Sequence, residues 1–281
     1  MSGGALHVEV SGHGPALMML HGYAGTARSL GDLAYGLSDD HTTIRPDLPG
    51  HGRSAGAWRD DGRDFEHALS RLVATLECTG HASADWIGYS MGARLALGCA
   101  VRHPERVRSL VLIGGRAGIA DAGERAARLA ADAALADRIE SGGVEAFVDA
   151  WLAQPMFATL RRLGPAAIER QRRDRLDHDA AELAGSLRRL GPGAQPPLFG
   201  ELPDVRVPVL LVVGALDAPF VAQARELARR LPDARLCEVP DAGHAVHVEQ
   251  PAGVLAAIRD FLRREGVARD RPELPVEETV Q

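Results

Sequence analysis

The chain has 281 residues, a formal charge of −6, and 46% hydrophobic against 25% charged side chains, enough apolar material for one ordinary domain with a sizeable core. This excludes a disordered, collagen-like or disulfide-stapled chain, and the net acidity predicts no nucleic-acid partner. There is no lysine and no asparagine, so lysine Schiff-base chemistry is excluded. Cys78, Cys99 and Cys237 are far apart and form no C-x-x-C or zinc pattern. With a start that lacks a basic-then-apolar leader, they predict a reduced, cytoplasmic setting. The longest apolar run, Val207 to Leu216, is broken by Pro208 and Gly214 and is too short for a membrane span, so no membrane partner is expected.

In chain order, Leu6–Val10 alternates in polarity and reads as an early antiparallel hairpin strand. Ala16–Leu20 (ALMML) is a short apolar run ending at a histidine and a glycine. The segment TTIRPDL from Thr42, then Ala84–Gly88, Val107–Ile113, Val209–Val213 and ARLCEVP from Ala234, complete a set of short strands of the kind buried in a parallel sheet. Helical periods fall between them at Phe65–Cys78, Met91–Val101 and Ala222–Leu231. This alternation predicts an α/β fold, a mostly parallel sheet with helices on both faces.

The rhythm breaks between residues 116 and 200. Four helical stretches are expected there with no strand: Gly123–Ser141, Val144–Ala153, Ala166–Arg173 and His178–Leu190. The expected organisation is a core of residues 1–115 and 201–265, a helical cap of 116–200 on the sheet's edge, and a flexible tail of 266–281.

Gly88-Tyr89-Ser90-Met91-Gly92 matches G-x-S-x-G, follows the strand ADWI and opens a helix. The bare motif is weak; the strand–turn–helix setting makes Ser90 the candidate nucleophile or base. A serine at neutral pH needs a base, and that base an orienting acid. Asp217 follows the strand VLLVV, and His244 lies in Asp-Ala-Gly-His after the last strand. His21-Gly22-Tyr23 follows ALMML, which makes the Tyr23 and Met91 backbone N–H groups candidate oxyanion donors. His247 and Glu249 lie close to His244, but without H-E-x-x-H or a third ligand no metal is expected. There is no P-loop and no dinucleotide fingerprint, so no cofactor is expected. His7, His13, His41, His67, His81, His103 and His178 are read as surface residues.

Arg94 stands one helical turn after Ser90, and a guanidinium there implies a carboxylate ligand. Arg128 shares a helical stripe with Leu135 and Ile139. With its order Ser, Asp, His, the chain resembles the α/β-hydrolase superfamily over nearly its full length. More narrowly, G-Y-S-M-G-A-R, Trp151-x-x-x-Pro155-x-Phe157 and Gly191-x-Gly193-x-Gln195-Pro196 resemble the 2-succinyl-6-hydroxy-2,4-cyclohexadiene-1-carboxylate synthases of menaquinone biosynthesis. That resemblance implies a carbon–oxygen lyase that removes an enolpyruvyl group as pyruvate from a polycarboxylate small molecule, with Ser90, Asp217 and His244 as the base system. It also implies that Arg94, Arg128 and Arg172 hold carboxylates and that Tyr89 and Trp151 line the pocket. One departure stands out: after VRSLVLI the chain reads Gly114-Gly115-Arg116-Ala117-Gly118, where a Glu or Ser and a Pro fit the family pattern. The residues alone leave two alternatives: a serine hydrolase of an ester or a carbon–carbon bond in a carboxylate-bearing substrate, and a non-catalytic binding protein of the same fold.

Overall fold

A computed structural model describes residues 4–56, 58 and 64–269. Seven strands, β1 (Val8–Ser11), β2 (Ala16–Leu20), β3 (Thr42–Pro46), β4 (Ala84–Tyr89), β5 (Val107–Ile113), β6 (Val209–Gly214) and β7 (Ala234–Val239), form one sheet in the order β1-β3-β2-β4-β5-β6-β7. All pairs are parallel except β1 with β3. The expected hairpin is therefore not formed, because β2 has both flanks occupied by β3 and β4. The fully buried ALMML belongs in the middle of the sheet, whereas the half-exposed VEVS suits its edge.

The helices are α1 (Gly31–Tyr35), α2 (Asp64–Cys78), α3 (Met91–Arg102), α4 (Ala122–Leu152), α5 (Pro165–Arg173), α6 (Ala180–Leu190), α7 (Ala218–Arg230), α8 (Val246–Glu249) and α9 (Pro251–Arg269). Period-2 alternation divides the sheet's side chains between two cores. Met18, Leu20, Leu110, Leu112 and Leu211 pack with Leu69 of α2, Leu95 of α3 and Leu227 of α7. Leu17, Met19, Val111, Ile113 and Val212 face Leu33 of α1 and Ile258 of α9 on the other side. None of these helices is long and apolar enough to cross a membrane among the described residues. α9 continues to Arg269, into the stretch expected to be tail, and residues 270–281 lie outside the described ones.

Between β5 and β6 the chain is helical, as its composition predicts. The long α4 is two helices in sequence terms, and Gly143, at φ 79°, breaks its helical backbone where the sequence places the boundary. Pro155–Leu163, which the sequence reading left unassigned, winds into a 3₁₀ helix. This insertion does not rest on the sheet's edge. Ile139, Phe147, Val148, Leu183 and Leu187 close a core around Ala24 and Tyr23. Phe157 and Leu160 close another around Ala245. It therefore sits on the loops that follow β2 and β7.

In an order that reverses between β2 and β4, the crevice at the strands' carboxyl ends is where ligands bind in open parallel sheets. Gly88 and Gly92 allow α3 to start there: a Cβ on Gly92 would overlap Leu20 O and His21 O, and one on Gly88 would overlap the Gly92–Ala93 backbone. Gly92→Ala is expected to cost about 1–3 kcal/mol by overpacking and to lower the thermal midpoint. Gly142→Ala on α4, where a Cβ meets nothing within 4 Å, is expected to be neutral or stabilising by up to about 1 kcal/mol; equal effects from the two variants would refute the packing argument.

Candidate active site

Ser90 occupies the bend between β4 and α3 with φ 51° and ψ −105°, a backbone conformation that costs a non-glycine residue about 1–3 kcal/mol. Its N–H donates to Ile113 O at 2.8 Å, which ties the bend to the neighbouring strand. Its side chain lies at the mouth of the crevice, 3.1 Å from His244 Nε2. His244 Nδ1 is 2.8 Å from Asp217 Oδ2. Asp217 follows β6 directly and His244 follows β7, so three separate carboxyl ends of the sheet deliver the three groups. With Nδ1–H donated to a carboxylate, the tautomer leaves Nε2 free to accept the Ser90 proton.

The histidine is held from all sides. Phe220, on the first turn of α7, places its ring centroid 4.3 Å from that of His244, and Tyr89 packs at 5.5 Å. Glu249 accepts from Gly243 N–H at 3.0 Å and so fixes the residue before His244. That is the role the structure gives Glu249; among the described residues no group of three or more His, Cys, Asp or Glu is placed to hold a metal. Tyr89 is buried behind His244 and also packs on His247 at 4.3 Å. It does not line the cavity at Ser90, contrary to expectation, because strand alternation turns it to the opposite face of the sheet.

The loop His21–Gly25 runs alongside the bend. A Cβ on Gly22 would lie 3.5 Å from Ser90 Cβ and 2.8 Å from the Tyr89 ring, so the backbone entering Tyr23 passes within contact distance of the serine. Met91 N–H opens α3, and the first N–H groups of a helix have no acceptor within it. The segments carrying the two candidate oxyanion donors thus both adjoin Ser90. The Tyr23 ring is wedged among His51, Phe147 and Trp151, and its hydroxyl donates to Leu183 O at 2.9 Å.

A cavity of about 500 Å³ opens over Ser90, with Met91, Arg94, Arg116, Arg128, Asp132 and Trp151 among the residues of its wall. Arg94 is 5% exposed and donates to Leu190 O at 2.8 Å and to Gln195 Oε1 at 3.0 Å. This explains the Gly-x-Gly-x-Gln-Pro segment noticed in the sequence: it brings a neutral acceptor to a buried cation. Burial, with the Arg116 and Arg128 charges nearby, pushes Arg94 down to about 9, so it stays charged at neutral pH. Arg128 Nε donates to Asp132 Oδ1 at 2.7 Å, while Asp132 Oδ2 accepts from Gly193 N–H at 3.0 Å. The sequence reading missed Asp132, although its i, i+4 spacing from Arg128 was a visible signal.

Arg172 is placed elsewhere. Its guanidinium is bound by Asp149 at 2.7 Å and Glu145 at 2.5 Å on α4, and it takes no part in the cavity wall. The arginine at this end of α5 that turns inward is Arg175, buried and close enough to Tyr89 and His247 to perturb both. The two are three positions apart, and a helix end decides which faces in. Sequence alone could not decide it in a stretch with arginines at 170, 172, 173 and 175.

His178 is not a surface residue. Its Nε2 is 3.0 Å from Ala24 O and its Nδ1 accepts from Gly52 N–H at 3.1 Å, which ties the helical insertion to two core loops. It packs against His51, which packs against His21. Burial pushes all three down, His21 to about 4.

A family model described as alpha/beta hydrolase fold matches residues 15–251. A Bacillus subtilis (strain 168) protein with the provisional name 2-succinyl-6-hydroxy-2,4-cyclohexadiene-1-carboxylate synthase is 37% identical over 247 residues, 88% of this chain and 90% of that one. The Enterobacter sp. (strain 638) protein of the same name without that qualifier is 33% identical over 249 residues, 89% of this chain and 92% of that one. The solved structure of MenH from S. aureus superposes with a TM-score of 0.86 at 28% identity, covering 92% of this chain and 99% of that one.

Two expectations follow from this geometry. Arg94→Ala leaves two buried acceptors bare, at about 1–3 kcal/mol each, and is expected to lower both stability and turnover. Arg172→Ala removes only two solvent-screened ion pairs, with Glu145 and Asp149, and is expected to change little; a large loss of turnover there would contradict its placement. The buried histidines are neutral in the folded chain and near 6.5 when unfolded, so the unfolded state binds more protons as pH falls from 6.5 towards 4. Stability from this cluster is present above 6.5 and is lost on the way down. The thermal midpoint is expected to drop by several degrees between about pH 7 and pH 5, and a flat profile would contradict it.

Proposed function

The chain belongs to the alpha/beta hydrolase fold family and, within it, to the family of 2-succinyl-6-hydroxy-2,4-cyclohexadiene-1-carboxylate synthases, and from that premise we propose that it eliminates pyruvate from 2-succinyl-5-enolpyruvyl-6-hydroxy-3-cyclohexene-1-carboxylate. The observation that carries this reading is a serine–histidine–aspartate relay opening into a cavity walled by arginines. Proton abstraction and polycarboxylate binding then share one space. The setting is cytoplasmic, a reading supported by three free cysteines.

In this reading Ser90, with its proton drawn to His244 Nε2, takes the proton from ring carbon 2, which is acidified by the adjacent succinyl ketone. The enolate oxygen that forms lies between the Tyr23 and Met91 N–H groups, donors that strengthen as charge develops. Collapse of the enolate forms ring double bonds at carbons 2 and 4 and breaks the bond from carbon 5 to the enolpyruvyl oxygen. The leaving enolpyruvate takes up a proton at its methylene carbon and becomes pyruvate. Asp217 keeps the His244 tautomer and stabilises the imidazolium. Arg94 and Arg128 orient carboxylates so that carbon 2 faces the base, which converts binding into proximity. Trp151 supplies an apolar wall.

The deciding assay is pyruvate release from the enolpyruvyl cyclohexene acid, with the ring product identified. Enzyme-dependent pyruvate formation is expected, reduced at least about 10³-fold in Ser90→Ala and in His244→Ala. The same relay could transfer acyl groups instead. No excess over spontaneous decay, together with a burst on activated esters and covalent trapping by a serine-directed phosphonate, would replace the lyase with a hydrolase.

A further inference from the structure

The loop after β5 serves two purposes within three residues. Gly114, at φ 58°, passes so close to the base that a Cβ there would lie 3.1 Å from His244 Cε1. Two residues later Arg116 enters the wall of the same cavity, alongside Ser90, Arg94 and Arg128. Its Nε donates to Gly118 O at 3.2 Å, across a backbone held at φ 106° against Pro196 and Pro197. That bond orients the guanidinium and uses the one nitrogen that is not part of its terminal fork.

The other two cavity arginines are differently committed. Arg94 spends a donor from each terminal nitrogen on Gln195 and Leu190, and Arg128 shares its charge with Asp132. Arg116 forms no ion pair within 4 Å among the described residues, although Glu124 and Asp132 favour its charge without bonding to it. Burial lowers both Arg94 and Arg116, and the guanidinium groups add to it by crowding one another: Arg116 and Arg128 disfavour the Arg94 charge, and Arg128 disfavours that of Arg116. A half-buried cluster of three like charges, offset by Asp132 and, at Arg116, by Glu124, still carries an excess of positive charge that an entering anion relieves. Because water is partly excluded there, each charge-assisted bond to that anion is stronger than on an open surface.

We propose that Arg116 is a specificity-determining residue whose terminal fork takes one carboxylate of the substrate, a different one from that held by Arg94. This rests on the lyase reading for the identity of the substrate, which carries three carboxylates. It goes beyond that reading by assigning one of them to a residue of the β5 loop. The site then selects ligands with at least two carboxylates, one for the first turn of α3 and one for the loop beside the base.

Direct binding tests this without turnover. Succinate and its monoamide, succinamate, have nearly the same shape and differ by one carboxylate. Titrated calorimetrically into the full chain, succinate is expected to bind about tenfold more tightly than succinamate, and Arg116→Gln is expected to reduce that preference to within about twofold. If Arg116→Gln does not fold, Arg116→Lys carries the comparison: it keeps the charge without the planar fork, and the preference should fall about threefold. Wild-type preference in the variant, equal weakening of both probes, or no succinate binding by the wild type would each overturn the assignment. Pyruvate release separates this from the parent reading. Discrimination without lyase activity keeps Arg116 and removes the lyase, whereas activity without discrimination removes Arg116 alone.

Discussion

Helix α3 begins directly against strands β2 and β4, closer than any side chain at Gly88 or Gly92 would permit. From that one approach follow the positive φ of Ser90, the projection of its hydroxyl beyond the sheet, and the placement of the Met91 N–H in the first turn of a helix. The strain at Ser90 is affordable because β4 and β5 are buried on both faces and hold the bend through the Ser90–Ile113 hydrogen bond. Asp217 and His244 can then be brought to the serine by two other strands whose register is fixed by the same buried sheet. Precision in the relay is a property of the core beneath it.

Above the sheet, the dominant physics is electrostatic. A chain with an overall charge of −6 concentrates Arg94, Arg116 and Arg128 around one cavity, opposed by Asp132 and, at Arg116, by Glu124. Elsewhere among the described residues many arginines pair with carboxylates outside the cavity, as Arg172 and Arg188 do. The contrast between paired arginines outside and under-neutralised ones inside is what supports reading the cavity as a candidate site for anions.

The helical insertion is joined to the chemistry by its undersurface. Its apolar residues share cores with Ala24 and Ala245, each adjacent to a loop that carries a candidate catalytic group. His178 adds a polar tie to Ala24 and Gly52. Packing of the insertion and geometry of the oxyanion loop are therefore coupled, and the neutral histidines that make the join carry a dependence on pH.

Local signals carried much of this. Apolar runs of four to seven residues between turn formers specify the parallel strands, because burial on both faces leaves no other use for such runs. Gly88-x-Ser90-x-Gly92 in a strand–turn–helix setting singles out the candidate reactive serine, and chain order singles out Asp217 and His244 as its candidate partners, since each follows a strand whose carboxyl end is on one edge. Gly143 marks its own kink. What the sequence left open was which residue of a crowded set faces inward. Arg172 and Arg175 differ by a fraction of a helical turn at a helix end, Tyr89 and Ser90 by one step of strand alternation, and β1 could have paired with either neighbour. Those choices are settled by long-range packing: β2 already has two partners, Glu145 and Asp149 draw Arg172 outward, and His244 and His247 enclose Tyr89. Residue type and spacing determined the chemistry this chain could perform, and tertiary contacts between residues distant in sequence decided which of its many arginines face the cavity over Ser90.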